Sequence, residues 1–485
     1  MINQSQLLNL YRSALHSVQP ESLIQTSIRL LEDGTLLFWD RRKLASKNYK
    51  TKLTERPIYI FGAGKAVIGM CTELLNQISV YNKKKYDLNF SQKQININRG
   101  RLNVPIGSIC QTNELFSSFN VSIHECAKNN IPDYESVTNS TKIIEMLKNI
   151  SDEPNDTTKP LVIGFISGGG SALLSLPKEP ITIEQKQELI KQLVGVGATI
   201  SELNQVRGAI SQLKCGQLSN IIVNELKCEL LTFIISDIIG DPIDLIASGP
   251  TVMPTYSSLP MDIIDKYDLK LSDNIRKTLE QHRHIQIDKT LSSNESIHNI
   301  IIGNNSTALE TIQIELEKLG FKLENLGSEI CGEASDVIRM FLFKLLHSKE
   351  SRNICWIGGG ETTITLGDHK NIGLGGRCQE MGLICLHELM KLENSGSLNI
   401  ENGRLTLMFV GTDGQDGPTP SAGVSFHYPL NENLKFDQTT IESYLSRHDS
   451  HNFFRKHFPS ALIETGPSGT NVMDIYCLIY EINKN

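Results

Sequence analysis

Four runs in this chain place glycine, lysine or carboxylate side chains directly behind an apolar stretch. Residues 58–61 lead into Gly62-Ala63-Gly64-Lys65, and residues 161–166 into Ser167-Gly168-Gly169-Gly170-Ser171. Residues 231–235 lead into Ser236-Asp237 and Gly240-Asp241, and residues 405–410 into Gly411-Thr412-Asp413-Gly414-Gln415-Asp416. Glycine lets a backbone approach a ligand closely, and the start of the next helix favours an anion. In open α/β sheets such turns gather at the carboxyl edge of the strands, where ligands bind. The ligand class implied is a small, anionic, phosphorylated molecule.

Each run carries a chemical reading and a plainer one. Lys65 opens a helix, where a cation is electrostatically out of place. It either faces a bound anion or is a solvated lysine after a tight turn. The run is no Walker A loop, and Val67 holds the third glycine position of a dinucleotide fingerprint. The glycines of 167–171 expose successive N–H groups as an anion nest, unless packing alone requires them. Arg207 lies in a helix-like stretch, either gripping a carboxylate or phosphate in a bidentate manner or simply solvated. Asp237, Asp413 and Asp416 follow strands, where carboxylates hold Mg²⁺, accept a hydroxyl proton or shape the loop. Gly375-Gly376-Arg377 ends a glycine loop with a guanidinium that could neutralise a phosphoryl group in transfer.

The elements that must position these residues alternate between strand and helix. Residues 4–33 carry helical apolar spacing, and strand 58–61 with helix 65–77 forms one β-turn-α unit. Residues 82–103 read as an exposed polar excursion, and 151–160 and 281–295 as loops. Thr182 with Gln185 predicts a capped helix over 183–200. Strands are expected at 161–166, 230–235, 299–302, 354–357, 362–366 and 405–410, and helices at 306–319, 333–347 and 379–392. This alternation predicts two α/β domains with mainly parallel sheets, 1–255 and 256–485, divided near the proline-rich 253–260.

Size and composition bound the function. A chain of 485 residues exceeds one ordinary core. A net charge of −7 argues against a general nucleic-acid binder. Ten cysteines without a C-x-x-C pair suggest reduced thiols, not zinc or a disulfide framework. No apolar run reaches the roughly 18 residues that span a bilayer, and no secretory leader is evident, so neither nucleic acid nor membrane is an expected partner.

Taken in order, the motifs resemble the glycerate kinase family that carries a MOFRL C-terminal half, and the likeness covers nearly the whole chain. Its marks are Gly62-Ala-Gly-Lys-Ala66, Ser167 to Leu173, Leu203-Asn-Gln-Val-Arg207, Ser236-Asp237, Ala247-Ser-Gly-Pro-Thr251, Gly359-Gly-Glu361, Gly375-Gly-Arg377, Gly411 to Thr419 and Gly466 to Asn471. Glu125 to Asp133 and Asp449 to Phe454 are closer to the animal branch. The resemblance implies Rossmann-like domains with a cleft between them, ATP and Mg²⁺ as cofactors, and D-glycerate as substrate, phosphorylated at the 2-hydroxyl. It implies Lys65 and Arg377 in that cleft, with Asp237 completing the expected catalytic set. Gly64, the 167–171 loop, Arg207, Gly375 and Gly376 are expected to bind substrate or phosphate, and Asp413 and Asp416 metal. The cytoplasm is the expected compartment, with a mitochondrial pool as alternative, and a homo-oligomer is left open. A hydroxypyruvate reductase or an inactive metabolite-binding relative are the rival readings. The chain departs from the family pattern at Gly208, Cys215 and Cys378, where lysine, glycine and asparagine are usual.

Overall fold

The structure, a computed structural model, describes residues 2–41, 49–87, 94–109, 114–152, 158–252, 259–282, 295–348, 353–367, 372–398, 403–430 and 436–482. The proline-rich transition and the loops expected at 151–160 and 281–295 lie largely outside the described residues. Contacts divide the chain into two compact units: residues 20–236 with 241–302, and residues 1–19, 237–240 and 303–485. The division expected at 255/256 is therefore corrected. Helix Gln4–Ser17 joins the C-terminal unit because Leu7, Leu10, Tyr11 and Ala14 are buried and it packs on helix Asn305–Lys318. Strand Ile297–Gly303 edges the sheet of the other unit.

The larger unit is built on six strands. Their spatial order is Val121–Cys126, Arg99–Pro105, Ile58–Ala63, Leu161–Ile166, Glu229–Ile235, Ile297–Gly303. Numbered along the chain this is 3-2-1-4-5-6, so the winding reverses between Ile58–Ala63 and Leu161–Ile166. These two central strands pair in parallel, Ile58 beside Leu161 and Ala63 beside Ile166, and are buried along their whole length. Continuous burial is what apolar runs covered on both faces produce. The described part of 82–103 differs from the expected exposed excursion: helix Val67–Asp87 runs into it, and strand Arg99–Pro105 begins there, with Gly100, Leu102 and Val104 buried and Arg99 exposed.

A helical layer of this unit bears on the site. Helix Ile183–Gly195 starts at the expected capping box, where Thr182 accepts from the Gln185 N–H. It ends before 200, and a second boxed helix, Ile200–Ala209, begins after Thr199. Leu189, Leu193, Leu203, Val206, Ile264 and Leu279 share one apolar cluster.

The C-terminal unit has a seven-stranded sheet, and here the expectation of a mainly parallel sheet fails. Strand Asp474–Ile482 lies between Ile354–Thr363 and Gly403–Gly411 and runs antiparallel to both. Gly423–Tyr428 adds a further antiparallel pairing, and only Lys322–Asn325 and Ile330–Glu333 pair in parallel, both with Ile354–Thr363. The two short strands expected at 354–357 and 362–366 are one strand of ten residues. Periodicity marks where a strand is, not which way its neighbour runs.

Gly64 has φ +151°, a region that side-chain-bearing residues rarely adopt, and an added Cβ would lie 2.1 Å from Ser167 Oγ. Gly64→Ala is expected to cost at least about 2 kcal/mol of stability through backbone strain and overpacking. Urea unfolding would show it as a lower midpoint, and an unchanged midpoint would contradict the packing described.

Candidate functional site

At the reversal of the large sheet, two turns are stitched together. The Lys65 N–H donates to the Gly168 carbonyl at 2.9 Å, and the Ala66 N–H donates to Ser167 Oγ at 3.0 Å. A Cβ built on Gly169 would stand 3.7 Å from Lys65 Cγ. Lys65, Gly64 and the 167–171 loop are thus brought together at the carboxyl ends of adjacent parallel strands. The Lys65 side chain is exposed, and its ammonium has no partner among the described residues.

The same loop reaches a pocket of about 400 Å³ through Ser171. The pocket is lined by Lys186, Lys191, Arg207 and Lys214, and every charged residue lining it is a cation. Lys186 and Lys214 are 4% and 2% exposed. Lys214 Nζ donates to the Ser171 carbonyl at 2.6 Å, and Lys186 Nζ donates to Ser175 Oγ at 2.7 Å. Arg207 donates to Asn204 Oδ1 at 3.2 Å. None of the three has a carboxylate partner among the described residues. Burying an unpaired cation costs on the order of several kcal/mol. Burial, with Arg207 adding to it, pushes the Lys186 ammonium down to about 7. Burial drives Lys214 well below its ordinary value, with Lys186 and Arg207 acting in the same direction.

Two left-handed turns hold Lys214 in place. Cys215 and Gly216 have φ of +55° and +77°, and Ala247, Ser248 and Gly249 lie between +52° and +61°. The turns join through Cys215 N–H to Ser248 O at 2.9 Å and Gly216 N–H to Gly249 O at 2.7 Å. Ser248 Oγ thereby stands 3.0 Å from Ser171 Oγ. Two departures from the family pattern meet at this clasp, for a Cβ on Gly208 would fall 2.3 Å from Cys215 Sγ. The thiol occupies space that a side chain at 208 would need.

The C-terminal unit treats its charges differently. Arg377 opens helix Arg377–Asn394 and donates to both oxygens of Asp474, which is buried, and to Glu361. Asp416 is also buried and accepts from the Cys378 N–H at 3.0 Å and the Gln379 N–H at 2.8 Å. Gln379 Nε2 adds a third donor at 2.9 Å. The start of this helix is filled by the protein's own carboxylate. A Cβ on Gly376 would lie 2.3 Å from the Asp416 carboxyl carbon, so this glycine serves that cap. Gly375 packs likewise against Ser450. Asp416, expected to hold metal, is engaged here as a helix cap; of the glycines expected to cradle phosphate, Gly376 packs on that cap and Gly375 on Ser450. Burial pushes the Asp416 carboxyl up to about 7, against the pull of the Gln379 and Cys378 N–H groups.

Asp413 is half-buried, and its Oδ1 accepts from the Gln415 N–H at 3.1 Å. Its other oxygen has no donor among the described residues, so Asp413 can offer an oxygen to a hard cation. Among the described residues no three His, Cys, Asp or Glu gather to hold a metal. Mg²⁺ carried on phosphates and water needs only one or two protein carboxylates. Asp237 belongs by its contacts to the C-terminal unit. Cys378 is fully buried behind the helix start.

Sequence reasoning missed Lys186, Lys214, Ser248, Glu361 and Asp474 as site residues. Lys186 did leave a signal, since it interrupts the buried stripe Ile183, Leu189, Leu193 of its helix. The others are joined by the fold and not by spacing.

Fold and site define a two-unit α/β protein with a cation-lined pocket beside the carboxyl edge of its parallel sheet. Residues 6–280 match the family model "Domain of unknown function (DUF4147)", and residues 354–474 match "MOFRL family". A rat protein named glycerate kinase is 30% identical over 98% of this chain and 92% of its own length. A glycerate 2-kinase of Pyrococcus horikoshii is 33% identical over 72% of this chain and 76% of its own. The crystal structure of a glycerate kinase from Thermotoga maritima superposes with a TM-score of 0.72 over 98% of both chains, at 23% identity, and speaks for the fold. The chain belongs to the MOFRL-containing glycerate kinase family and is an enzyme of the kinase class.

Asp416→Ala is expected to cost about 2 kcal/mol, measured by urea unfolding, because it strips a helix cap and orphans buried donors. A loss under about 0.5 kcal/mol would contradict the cap. Lys186→Met is expected to raise Tm at pH 7. The folded state holds the Lys186 proton less tightly than the unfolded chain does. Stability of the parent protein therefore rises with pH between about 7 and 10.5. The gain from Lys186→Met should shrink across that window in melts at several pH values, and a constant gain would refute the assignment.

Proposed function

We propose that this chain is an ATP- and Mg²⁺-dependent D-glycerate kinase acting at the 2-hydroxyl. The observation that carries the reading is the cation-lined pocket, without a carboxylate among the described residues, which shares the 167–171 loop with Lys65, whose ammonium has no partner among them. The relative named glycerate 2-kinase supports the position of transfer. Phosphoryl transfer asks a protein for positioning and charge stabilisation more than for covalent chemistry. Arg207 and the 167–171 loop hold the carboxylate of the acceptor. Lys65 stabilises the charge of the phosphoryl group in flight. Arg377, held by Asp474 and Glu361, is a cation of fixed orientation for the same charge. Asp237 accepts the proton of the attacking hydroxyl. Asp413 offers an oxygen to Mg²⁺, which when bound neutralises nucleotide phosphate charge. No helix among the described residues is long and apolar enough to cross a membrane, and a cytoplasmic location goes with this reading.

The test is ADP release by purified protein with Mg-ATP, with and without D-glycerate, the product being read through enolase. A glycerate-dependent signal without a mutase is expected. A need for mutase would move the acceptor to the 3-hydroxyl, and no glycerate-dependent ADP would end the reading. Lys65→Ala should lower kcat at least about tenfold with unchanged melting, and near-normal turnover would remove Lys65 from the mechanism.

A further inference from the structure

The buried Lys186 and Lys214 and the half-buried Arg207 have hydrogen-bonding capacity that the described residues do not use. An ammonium carries three donors and a guanidinium five. Among the described residues the Lys186 ammonium makes one hydrogen bond, to Ser175, and the Arg207 guanidinium one, to Asn204. The Lys214 ammonium there meets the Ser171 carbonyl and, at 3.5 Å, Ser248 Oγ. The missing acceptors must come from what enters the pocket. A carboxylate is acceptor-only, with two oxygens and about four lone-pair sites. The lining also includes the apolar Ile131, Pro132 and Ile190, and the volume of about 400 Å³ suits a small acid.

We propose that Lys186 and Lys214, with Arg207 and Ser171, form the subsite for the acceptor's carboxylate, so that the enzyme selects a small hydroxy acid over a neutral polyol. The assignment of this carboxylate to the acceptor rests on the glycerate kinase reading; the anion site itself does not. Lys214 is tied to the loop it shares with the site through the Ser171 carbonyl, so a bound carboxylate is fixed relative to that loop. Lys186 approaches from helix Ile183–Gly195, Arg207 from Ile200–Ala209, Lys214 from the turn at 214–216 and Ser171 from the 167–171 loop, so the subsite is assembled from four separate chain segments. Such a site discriminates by charge, because an incoming carboxylate favours the protonated form that burial disfavours in Lys186 and Lys214, and a neutral ligand does not.

The experiment is steady-state kinetics with D-glycerate varied at saturating Mg-ATP. Lys186→Met and Lys214→Met are expected to raise KM for D-glycerate at least about tenfold, with kcat within about threefold and KM for ATP unchanged. In the parent enzyme inorganic sulfate should compete with D-glycerate, and glycerol should not be phosphorylated. A folded variant with KM for D-glycerate within about twofold of the parent overturns the subsite while leaving the kinase reading intact. Sulfate competing with ATP alone does the same without any variant. Should the parent show no glycerate-dependent ADP release, the kinase reading falls by itself. Calorimetric titration with sulfate then decides the pocket: binding lost in Lys186→Met upholds an anion site, and equal binding in parent and variant overturns it.

Discussion

The close approach of two turns at the reversal of the parallel sheet is the constraint on which the larger unit depends. Gly64 has no room for a side chain against Ser167, and the Ala66 N–H is satisfied only by the Ser167 hydroxyl at 3.0 Å. Once strands Ile58–Ala63 and Leu161–Ile166 are paired in register, the turns that leave them have one way to pack. That packing aims Lys65 along Gly169 and delivers Ser171 to the mouth of the cationic pocket. The functional geometry is thus a consequence of strand order. A ligand crevice outside the carboxyl ends of strands at a reversal of winding needs no device beyond the sheet itself.

The two units handle buried charge by opposite means. In the C-terminal unit Arg377 and Asp416, both expected to act on a ligand, are answered from within, while one Asp413 oxygen has no donor among the described residues. Asp474 and Glu361 take the Arg377 guanidinium, and the start of helix Arg377–Asn394 takes the Asp416 carboxylate. In the larger unit Lys186, Arg207 and Lys214 converge on a pocket and meet only neutral oxygens. Removing water from such cations is costly, and a fold does not retain the cost without a return. The stabilisation they forgo in the empty protein is available to an incoming anion. An unanswered buried charge is better evidence of a ligand than a glycine-rich run, because Gly375 and Gly376 turn out to serve packing.

Much of the frame was legible in the sequence, and the limits have physical causes. The buried strand 161–166, the turn that follows it and the capping box at Thr182 are local signals, and each appears where expected. Strand direction is not local. The runs at 354–357, 362–366 and 405–410 read as members of a parallel sheet, yet the C-terminal strand Asp474–Ile482 inserts antiparallel between Ile354–Thr363 and Gly403–Gly411. Strand Arg99–Pro105 was hidden because Arg99, Arg101 and Asn103 alternate with the buried Gly100, Leu102 and Val104. Lys214 and Ser248 are 34 residues apart and meet only through two left-handed turns. No spacing rule reaches that distance.

The clasp that presents Lys214 also shows how departures from a family pattern should be weighed. Taken singly, a glycine where lysine is usual and a cysteine where glycine is usual both threaten the neighbourhood of Arg207. In the structure they are one change. Cys215 adopts φ +55°, a conformation that costs a non-glycine residue on the order of 1–3 kcal/mol. Its thiol lies where a Gly208 side chain would project and sits 3.3 Å from the Asn204 carbonyl. Packing of the thiol offsets part of the backbone strain, and the N–H groups of Cys215 and Gly216 keep their bonds to Ser248 and Gly249. Lys214 is held by this clasp, and the pocket's charged lining is Lys186, Lys191, Arg207 and Lys214.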